Sequence, residues 1–446
     1  MAKPTFLFIN VGGDWLSIAQ RVKAEGFPVY YYKMKGMTKG REDSGVGIFT
    51  KEEIIDDKYE VLNKFRHQKD NLIILYDDNG YGDEQDYLRS EGWPVIGGSA
   101  FADKIEYERG LGLNVMKSIG LKLPDEHAFT KFDDAISFLE GCEEFERFVF
   151  KPDGEDFAGS SKTYTGKNRN DLIDYIKWIK TDCTEKHYDI TRFVLQEFIN
   201  GIEADFAAYF NGETFMPGLV ALDIEEKKTG DGNLGEAIGC MGNVVIFFDQ
   251  SKYFEEYLKK LEAPLKARGF VGSISINNIF ANSDNDPKYE EGMPYGLEFT
   301  PRMGWDAHVT ECAIHVAKGG KIADFYIALA RKKPFTVNTR LPACGVRMFT
   351  GSISLKKEDV AGRHFSFDKA IEKNLWYYSV SEKDDFYSIE DNPVMVVNAV
   401  SATVPSAIAA CYDTIKKLNI PDVYYRKEIG LRANKVLNFL AKYGWI

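Results

Sequence analysis

The sequence predicts a mixed fold, α/β over the first hundred residues and α+β over the rest. Three observations carry this. Apolar runs that end in glycine or aspartate alternate with helical segments between Thr5 and Gly98. Later strand patterns follow one another through tight turns such as Asn211–Gly212, which is hairpin chemistry. A chain of 446 residues is also too long for one ordinary core, so about three domains are expected.

The elements follow in order. Thr5–Val11 is an apolar strand closed by Gly12–Gly13. Trp15–Glu25 has helical spacing and stops at Gly26. Val29–Tyr32, Asn71–Tyr76 and Pro94–Ile96 are further strands, so parallel βαβ units are expected, with ligands at the loops behind them. One helix is expected from about Asp103 to Ile119, ended by Gly120 with Pro124 beyond. A compact stretch follows, with helices at Asp133–Leu139 and Asp171–Lys180 and strands at Arg147–Lys151 and Arg192–Phe198. Ala204–Phe210 is a strand, and strands surround a polar, glycine-rich loop between Leu219 and Phe248. Lys252–Arg268 reads as a helix and Val271–Phe280 as a strand. After Pro334 come short strands and two helices, Ser406–Leu418 and Lys427–Tyr443. The domains expected are 1–102, 103–333 with a subdomain at about 124–198, and 334–446.

Composition narrows the class. Hydrophobic residues at 44% and charged residues at 28% are ordinary for a globular protein. No segment is apolar enough to span a bilayer, and the N-terminus reads as a strand rather than a cleavable signal. The six scattered cysteines, with no CxxC, suit reduced thiols in the cytoplasm better than a disulfide frame or a zinc site. A net charge of −12 argues against stable nucleic-acid binding. Small-molecule partners, no membrane, and a monomer or small homo-oligomer are expected.

The most informative segment is residues 291–308, EGMPYGLEFTPRMGWDAH. The strand Leu297–Phe299 runs into Thr300–Pro301–Arg302. Glu298 and Thr300 share one side of that strand, because side chains alternate. A carboxylate, a hydroxyl and an arginine there suit Mg²⁺ and a phosphoryl group, since Mg²⁺ takes few protein oxygens and the rest from phosphates. Upstream, Phe148–Val149–Phe150–Lys151 delivers a lysine beside the small-residue loop Phe157–Ala158–Gly159–Ser160–Ser161–Lys162, a pairing able to clamp phosphates. In Val194–Glu203, backbone beside Gln196, Glu197 and Phe198 suits an adenine edge, and Glu203 suits ribose hydroxyls.

Phosphate lysine, adenine–ribose acids and then a metal carboxylate is the order of the ATP-grasp superfamily. FKPDG…AGSS, QEFINGIEADF, Cys240–Met241–Gly242, LEFTPRMG and the C-terminal Tyr425–Arg426–Lys427–Glu428–Ile429–Gly430–Leu431–Arg432–Ala433 together resemble phosphoribosylamine–glycine ligase, collinearly over nearly the whole chain. The C-terminal piece is the most family-specific. The resemblance implies an ATP-grasp fold with an N-terminal Rossmann-like domain and a C-terminal α+β domain. It implies a cytoplasmic, ATP- and Mg²⁺-dependent ligase that joins a carboxylate to an amine through an acyl phosphate, in the setting of purine biosynthesis. Lys151 would hold the α- and β-phosphates under a flap at 157–162, Arg109 would stand in for a second nucleotide lysine, and Arg302 would contact the transferring phosphoryl group. Glu298 would bind Mg²⁺, with Thr300 and Asn277 or Asn278 adding oxygens.

The departures concern the acceptor. The family pattern has asparagine at the position of Thr300 and an arginine in the first loop, which here reads Gly12–Gly13–Asp14–Trp15. The loop Asp77–Asp78–Asn79–Gly80 and the segment Trp305–Asp306–Ala307–His308 have also left the pattern. Gly12, Gly13, Asp14, Asp77, Asp306 and His308 are therefore candidate substrate residues; Asp14 and Asp77–Asp78 read equally as helix-capping and turn residues or as an amine site rebuilt for an acceptor without a phosphate or for a cationic one. Arg340 or Arg347 reaching that pocket would instead favour a phosphorylated acceptor. Two other readings stay open: a true glycinamide ribonucleotide synthetase, and an ATP-binding scaffold without turnover.

Overall fold

The computed structural model describes residues 3–10, 15–33, 43–152, 162–187, 190–282, 288–353, 357–383 and 386–446. Its first sheet is parallel, in the order β3 (Ile54–Ile55), β2 (Val29–Lys33), β1 (Thr5–Asn10), β4 (Leu72–Tyr76) and β5 (Val95–Ile96). Apolar residues run without alternation in β1 because both of its faces are covered. Phe6 and Phe8 join one core, Leu7 and Ile9 another.

A small antiparallel sheet follows, in the order β6 (Glu126–Phe129), β9 (Phe193–Glu197), β7 (Phe148–Pro152) and β8 (Tyr164–Thr165). The helices Phe132–Glu140 and Arg169–Lys186 accompany it. It closes around its own core, which includes Phe150, Ile176, Phe193 and Leu195.

The largest sheet holds the strands β10 (Gly201–Phe210), β11 (Phe215–Gly230), β12 (Leu234–Phe248), β13 (Gly272–Ala281) and β14 (Pro294–Thr300). Its order is β14-β13-β10-β11-β12, continued by β15 (Ala343–Thr350). The later strands β16 (His364–Phe367), β17 (Leu375–Tyr377), β18 (Val380–Lys383), β19 (Phe386–Ile389), β20 (Met395–Val400), β21 (Leu418–Asn419) and β22 (Val423–Tyr424) divide in two. β20, β17 and β22 extend the large sheet, while β18-β19-β16-β21 make a separate one.

Three expected helices differ in extent. The one expected over Asp103–Ile119 is two, Ala100–Tyr107 and Arg109–Ser118, because the backbone leaves helical values at Glu108 (φ −91°, ψ 85°). Gly112 then packs on the Ile105 carbonyl, where a Cβ would lie only 2.5 Å away. The segment Lys252–Arg268 breaks at Tyr257 (φ −126°, ψ −66°) into three short turns, the last being Glu262–Lys266. The final helix begins only at Ala433, since Gly430 has a φ of +80° that ends any helical run there.

No disulfide joins the six cysteines. Among the described residues no helix is long and apolar enough to cross a membrane. The small sheet depends on few large side chains, and Phe150 is fully buried at its centre. Phe150→Ala is expected to cost about 3–5 kcal/mol in chemical denaturation.

Candidate functional site

Strand pairing places one polar row across four strands. Asp223 of β11 pairs with Asp205 of β10, Asp205 with Asn277 of β13, and Asn277 with Glu298 of β14. Neighbouring strands lie about 4.8 Å apart, so these side chains form a continuous band. Alternation adds Glu203 on β10 and Glu225 and Lys227 on β11 to the same face. The sequence shows these acids as ordinary strand polarity; only the register joins them.

Charge on this face is unbalanced. The Lys227 ammonium lies 2.6 Å from Glu203 and 3.9 Å from Glu225. Burial opposes its charge, but Glu203, Asp205 and Glu225 raise its pKa well above the usual lysine value. Burial, and then the neighbouring acids, push Asp205 and Asp223 well up, and Glu225 rises as well. One carboxylate oxygen on each of Asp205 and Asp223 is buried without a hydrogen-bond partner. Desolvation works against the Glu298 charge too, yet Lys227, Lys151 and Arg109 hold its carboxyl below the usual range.

Glu298 is exposed on this face, and its Oε1 accepts from Asn277 Nδ2 at 3.0 Å. Turning the Asn277 amide over would set two oxygens at that separation. It matches roughly the cis edge of a Mg²⁺ octahedron with bonds near 2.1 Å. Thr300, beside Glu298 on the same face and opposite Ser275, supplies a further hydroxyl. The donor set therefore fits a cation that completes its shell with water and phosphate. Among the described residues no three His, Cys, Asp or Glu side chains form a cage by themselves.

Lys151 ends β7 of the small sheet and looks towards this band. Burial and the Arg109 charge lower its pKa to about 8, against the pull of Glu298 and Glu126. Arg109 is ion-paired with Glu126, which also accepts from Gln196 Nε2 at 2.7 Å. Glu197 pairs with Lys288 and accepts from Tyr289 Oη at 2.7 Å. Phe198 donates its N–H to Arg147 at 2.9 Å, and the Arg147 guanidinium lies 3.7 Å from the Phe198 ring. Lys151, Arg109, Gln196, Glu203, Glu298, Thr300 and Asn277 thus gather around one junction of the two sheets. Glu126, Asp205, Asp223, Glu225 and Lys227 belong to it too, and sequence reasoning missed them.

The acceptor candidates are placed differently. Arg302 is held by Glu106 at 3.1 Å and Asp78 at 3.3 Å, with its guanidinium carbon 5.2 Å from the Trp305 ring. Asp77 is buried at the end of β4. Asp306 is 1% exposed and takes Arg347 Nε at 3.0 Å, Arg347 Nη2 at 2.8 Å and Tyr378 Oη at 2.7 Å. His308, also 1% exposed, sits between Tyr209 Oη at 2.8 Å and Tyr326 Oη at 2.7 Å, against Trp15. Burial opposes its charge, but Cys312 and Glu311 outweigh burial and raise its pKa to about 9. The structure thus puts Asp306 and His308 in the core, where they orient the helix Trp305–Val316, and not on an open wall. Arg340 lies with Asp249 at 2.6 Å. Gly12, Gly13, Asp14, Gly159, Ser160 and Ser161 lie outside the described residues.

The Asp306–Arg347 pair is buried on both sides. Asp306→Ala removes the carboxylate that faces the Arg347 charge, and a loss of about 3–5 kcal/mol in denaturant unfolding is expected.

No protein-family model matches the chain. It is 23% identical over 382 residues to the phosphoribosylamine–glycine ligase of Fusobacterium nucleatum, covering 83% of this chain and 86% of that protein. The crystal structure of phosphoribosylamine–glycine ligase from Thermotoga maritima superposes with a TM-score of 0.69 at 17% identity, over 95% of this chain and all of that one (100%). The biotin carboxylase domain of Hydrogenobacter thermophilus 2-oxoglutarate carboxylase, solved with MgADP, ADP and bicarbonate, superposes with a TM-score of 0.61 at 12% identity, over 95% of this chain and 92% of that one. The chain is a divergent relative of the phosphoribosylamine–glycine ligases and has the ATP-grasp fold.

Proposed function

We propose that this protein is an ATP- and Mg²⁺-dependent carbon–nitrogen ligase that forms an amide from a carboxylate and an amine. The observation that carries the reading is the junction itself. The lysine near the end of β7, Gln196 of β9, Glu203 of β10 and Glu298 of β14 gather where the two sheets approach each other, within the fold shared with the phosphoribosylamine–glycine ligases.

In this reading residues 103–333 form the ATP-grasp core, with a lid at about 124–198, between a substrate domain at 1–102 and a C-terminal domain at 334–446. Lys151 and Arg109 hold phosphate oxygens, Gln196–Phe198 flank the adenine, and Glu203 takes the ribose. Glu298, Asn277 and Thr300 would hold Mg²⁺, which would supply positive charge to the phosphates. A carboxylate oxygen of the substrate attacks the γ-phosphorus and ADP leaves. The amine nitrogen then attacks the acyl carbon, the C–O bond to phosphate breaks, and the amine proton goes to solvent. Arg302, fixed by Glu106 and Asp78, faces the transferring group without reorganising. Its fixed charge is worth more in a site from which water is excluded.

The acceptor in this proposal is an amine without a phosphate and with a further positive charge, such as an amino-acid or nucleobase-linked amine. Burial pushes Asp205 and Asp223 towards their neutral forms, but Glu203 and Glu298 stay ionised around Lys227 with Glu225 beside them, and that negative charge suits a cation. Arg340 and Arg347, the arginines that a phosphorylated acceptor would need, are engaged with Asp249 and Asp306.

Following ADP release with ATP, Mg²⁺, glycine and a panel of amines tests this. Turnover with a cationic, phosphate-free amine is expected; efficient turnover with phosphoribosylamine would overturn the altered acceptor. Glu298→Gln is expected to abolish ADP release while ADP still binds. Unchanged activity in that variant would remove Glu298 from the metal site.

The lowered Lys151 pKa gives a pH dependence with a definite sign. Lys151 is charged below its pKa of about 8 and neutral above it. Phosphate binding favours the charged form. Calorimetric affinity for MgADP should therefore fall by about tenfold between about pH 7 and about pH 9. Lys151→Arg should flatten that profile, because a guanidinium does not titrate there.

A further inference from the structure

The segment Tyr425–Ala433 is the most distinctive part of the C-terminus, and none of the roles above uses it. It folds as turns against the back of the site strands. Along β11 the side chains of Asp223, Glu225 and Lys227 share the site face, so Glu226 points the other way. There its buried carboxylate meets two arginines of this segment. Arg432 Nε donates to Glu226 Oε1 at 2.9 Å, and Arg426 Nη2 lies 3.3 Å from Oε2. The loop between β11 and β12 is tied to the same segment: Asp231 accepts from the Lys427 N–H at 2.8 Å, and Glu428 accepts from the Gly232 N–H at 2.6 Å.

Arg432 does more than grip Glu226. The backbone ladder between β10 and β11 ends at the Asp205–Asp223 pair. One step beyond, the carbonyls of Glu203 and Glu225 would face each other across an open fork. The Arg432 guanidinium fills it, with Nη1 donating to the Glu203 carbonyl at 2.8 Å and Nη2 to the Glu225 carbonyl at 2.5 Å. Three of its nitrogens thus fix three acceptors in one plane, which only a guanidinium can do. On the site face, the residues so spaced are Glu203, Glu225 and, two further on, Lys227.

We infer that Arg432 is a positioning residue for nucleotide binding: by stapling β10 to β11 where their ladder ends, it sets the distance between Glu203 and the Glu225–Lys227 pair. The C-terminal segment is thereby a rear support of the site. Side chains held on strands keep their geometry only if the strands keep theirs, and a misplacement of about 1 Å can cost up to about a hundredfold.

This rests on the reading that the site binds ATP, and calorimetric titration of the full chain with MgADP separates the two. No binding by the wild-type protein would refute the nucleotide reading, and this inference with it. Given wild-type binding, Arg432→Met is expected to weaken MgADP roughly tenfold or more. Arg432→Lys should give an intermediate loss, since one ammonium cannot reach both carbonyls. Arg21→Met is the control for lost stability. Arg21 donates to the Lys373 and Leu375 carbonyls and stacks on Trp376, away from the site strands. That variant should lower Tm yet keep MgADP affinity within about twofold. If Arg432→Met binds MgADP as Arg21→Met does at a comparable loss of Tm, Arg432 is merely structural and the inference fails. Should Arg432→Met not fold, Arg432→Lys decides: affinity within about twofold of wild type overturns the inference, and a larger loss at unchanged Tm supports it.

Discussion

The site depends on how one ammonium is shared. Lys227 stands among Glu203, Asp205, Glu225 and Glu298, and it is the largest favourable influence on the charge of both Glu203 and Glu298. Such a group of acids would be costly to hold together in a folded protein, since each buried carboxylate must be paired, protonated or bound to a cation. Lys227 keeps the outer acids ionised, while Asp205 and Asp223, deeper and less well served, are pushed towards their neutral forms. A face of this kind is ready for cations from outside, as the proposed magnesium–phosphate site requires.

That charge pattern is held by two scaffolds of different kinds. The antiparallel ladders fix Asp223, Asp205, Asn277 and Glu298 in register, so their spacing follows from backbone geometry. The ladder stops short of Glu203 and Glu225, and side chains take over from there. Arg432 and Arg426 clasp Glu226 from behind, and each is in turn held by the hairpin it supports. Arg302 is fixed in a similar way from the N-terminal side, through Glu106 and Asp78.

Much of the fold was legible because its signals are local. The parallel strands of the first sheet, the hairpins, and the strand that holds Leu297–Thr300 follow from apolar period and turn chemistry. Lys151, Glu203 and Glu298 could be singled out since each ends or interrupts an apolar strand. The errors have local causes too. A helical period over Asp103–Ile119 says nothing of the break at Glu108. The run Lys427–Tyr443 looks helical until Gly430 takes a left-handed turn. His308 and Asp306 were singled out because they follow Arg302 in the chain, and the chain could not show that their side chains meet Tyr326, Arg347 and Tyr378, which are far off in sequence.

The sequence by itself determined the order of chemistry-bearing residues and the class of fold that could use them, because both are written in spacing along one strand or one turn. It could not show that Asp205, Asp223, Glu225 and Lys227 share a face with Glu298, since that follows from the pairing of β10 with β11 and β13. Nor could it assign the C-terminal arginines, whose partners lie some two hundred residues earlier in the chain. Those were decided by tertiary structure alone. Strand register and buried ion pairs join residues by distance in space, and distance along the chain carries no record of it.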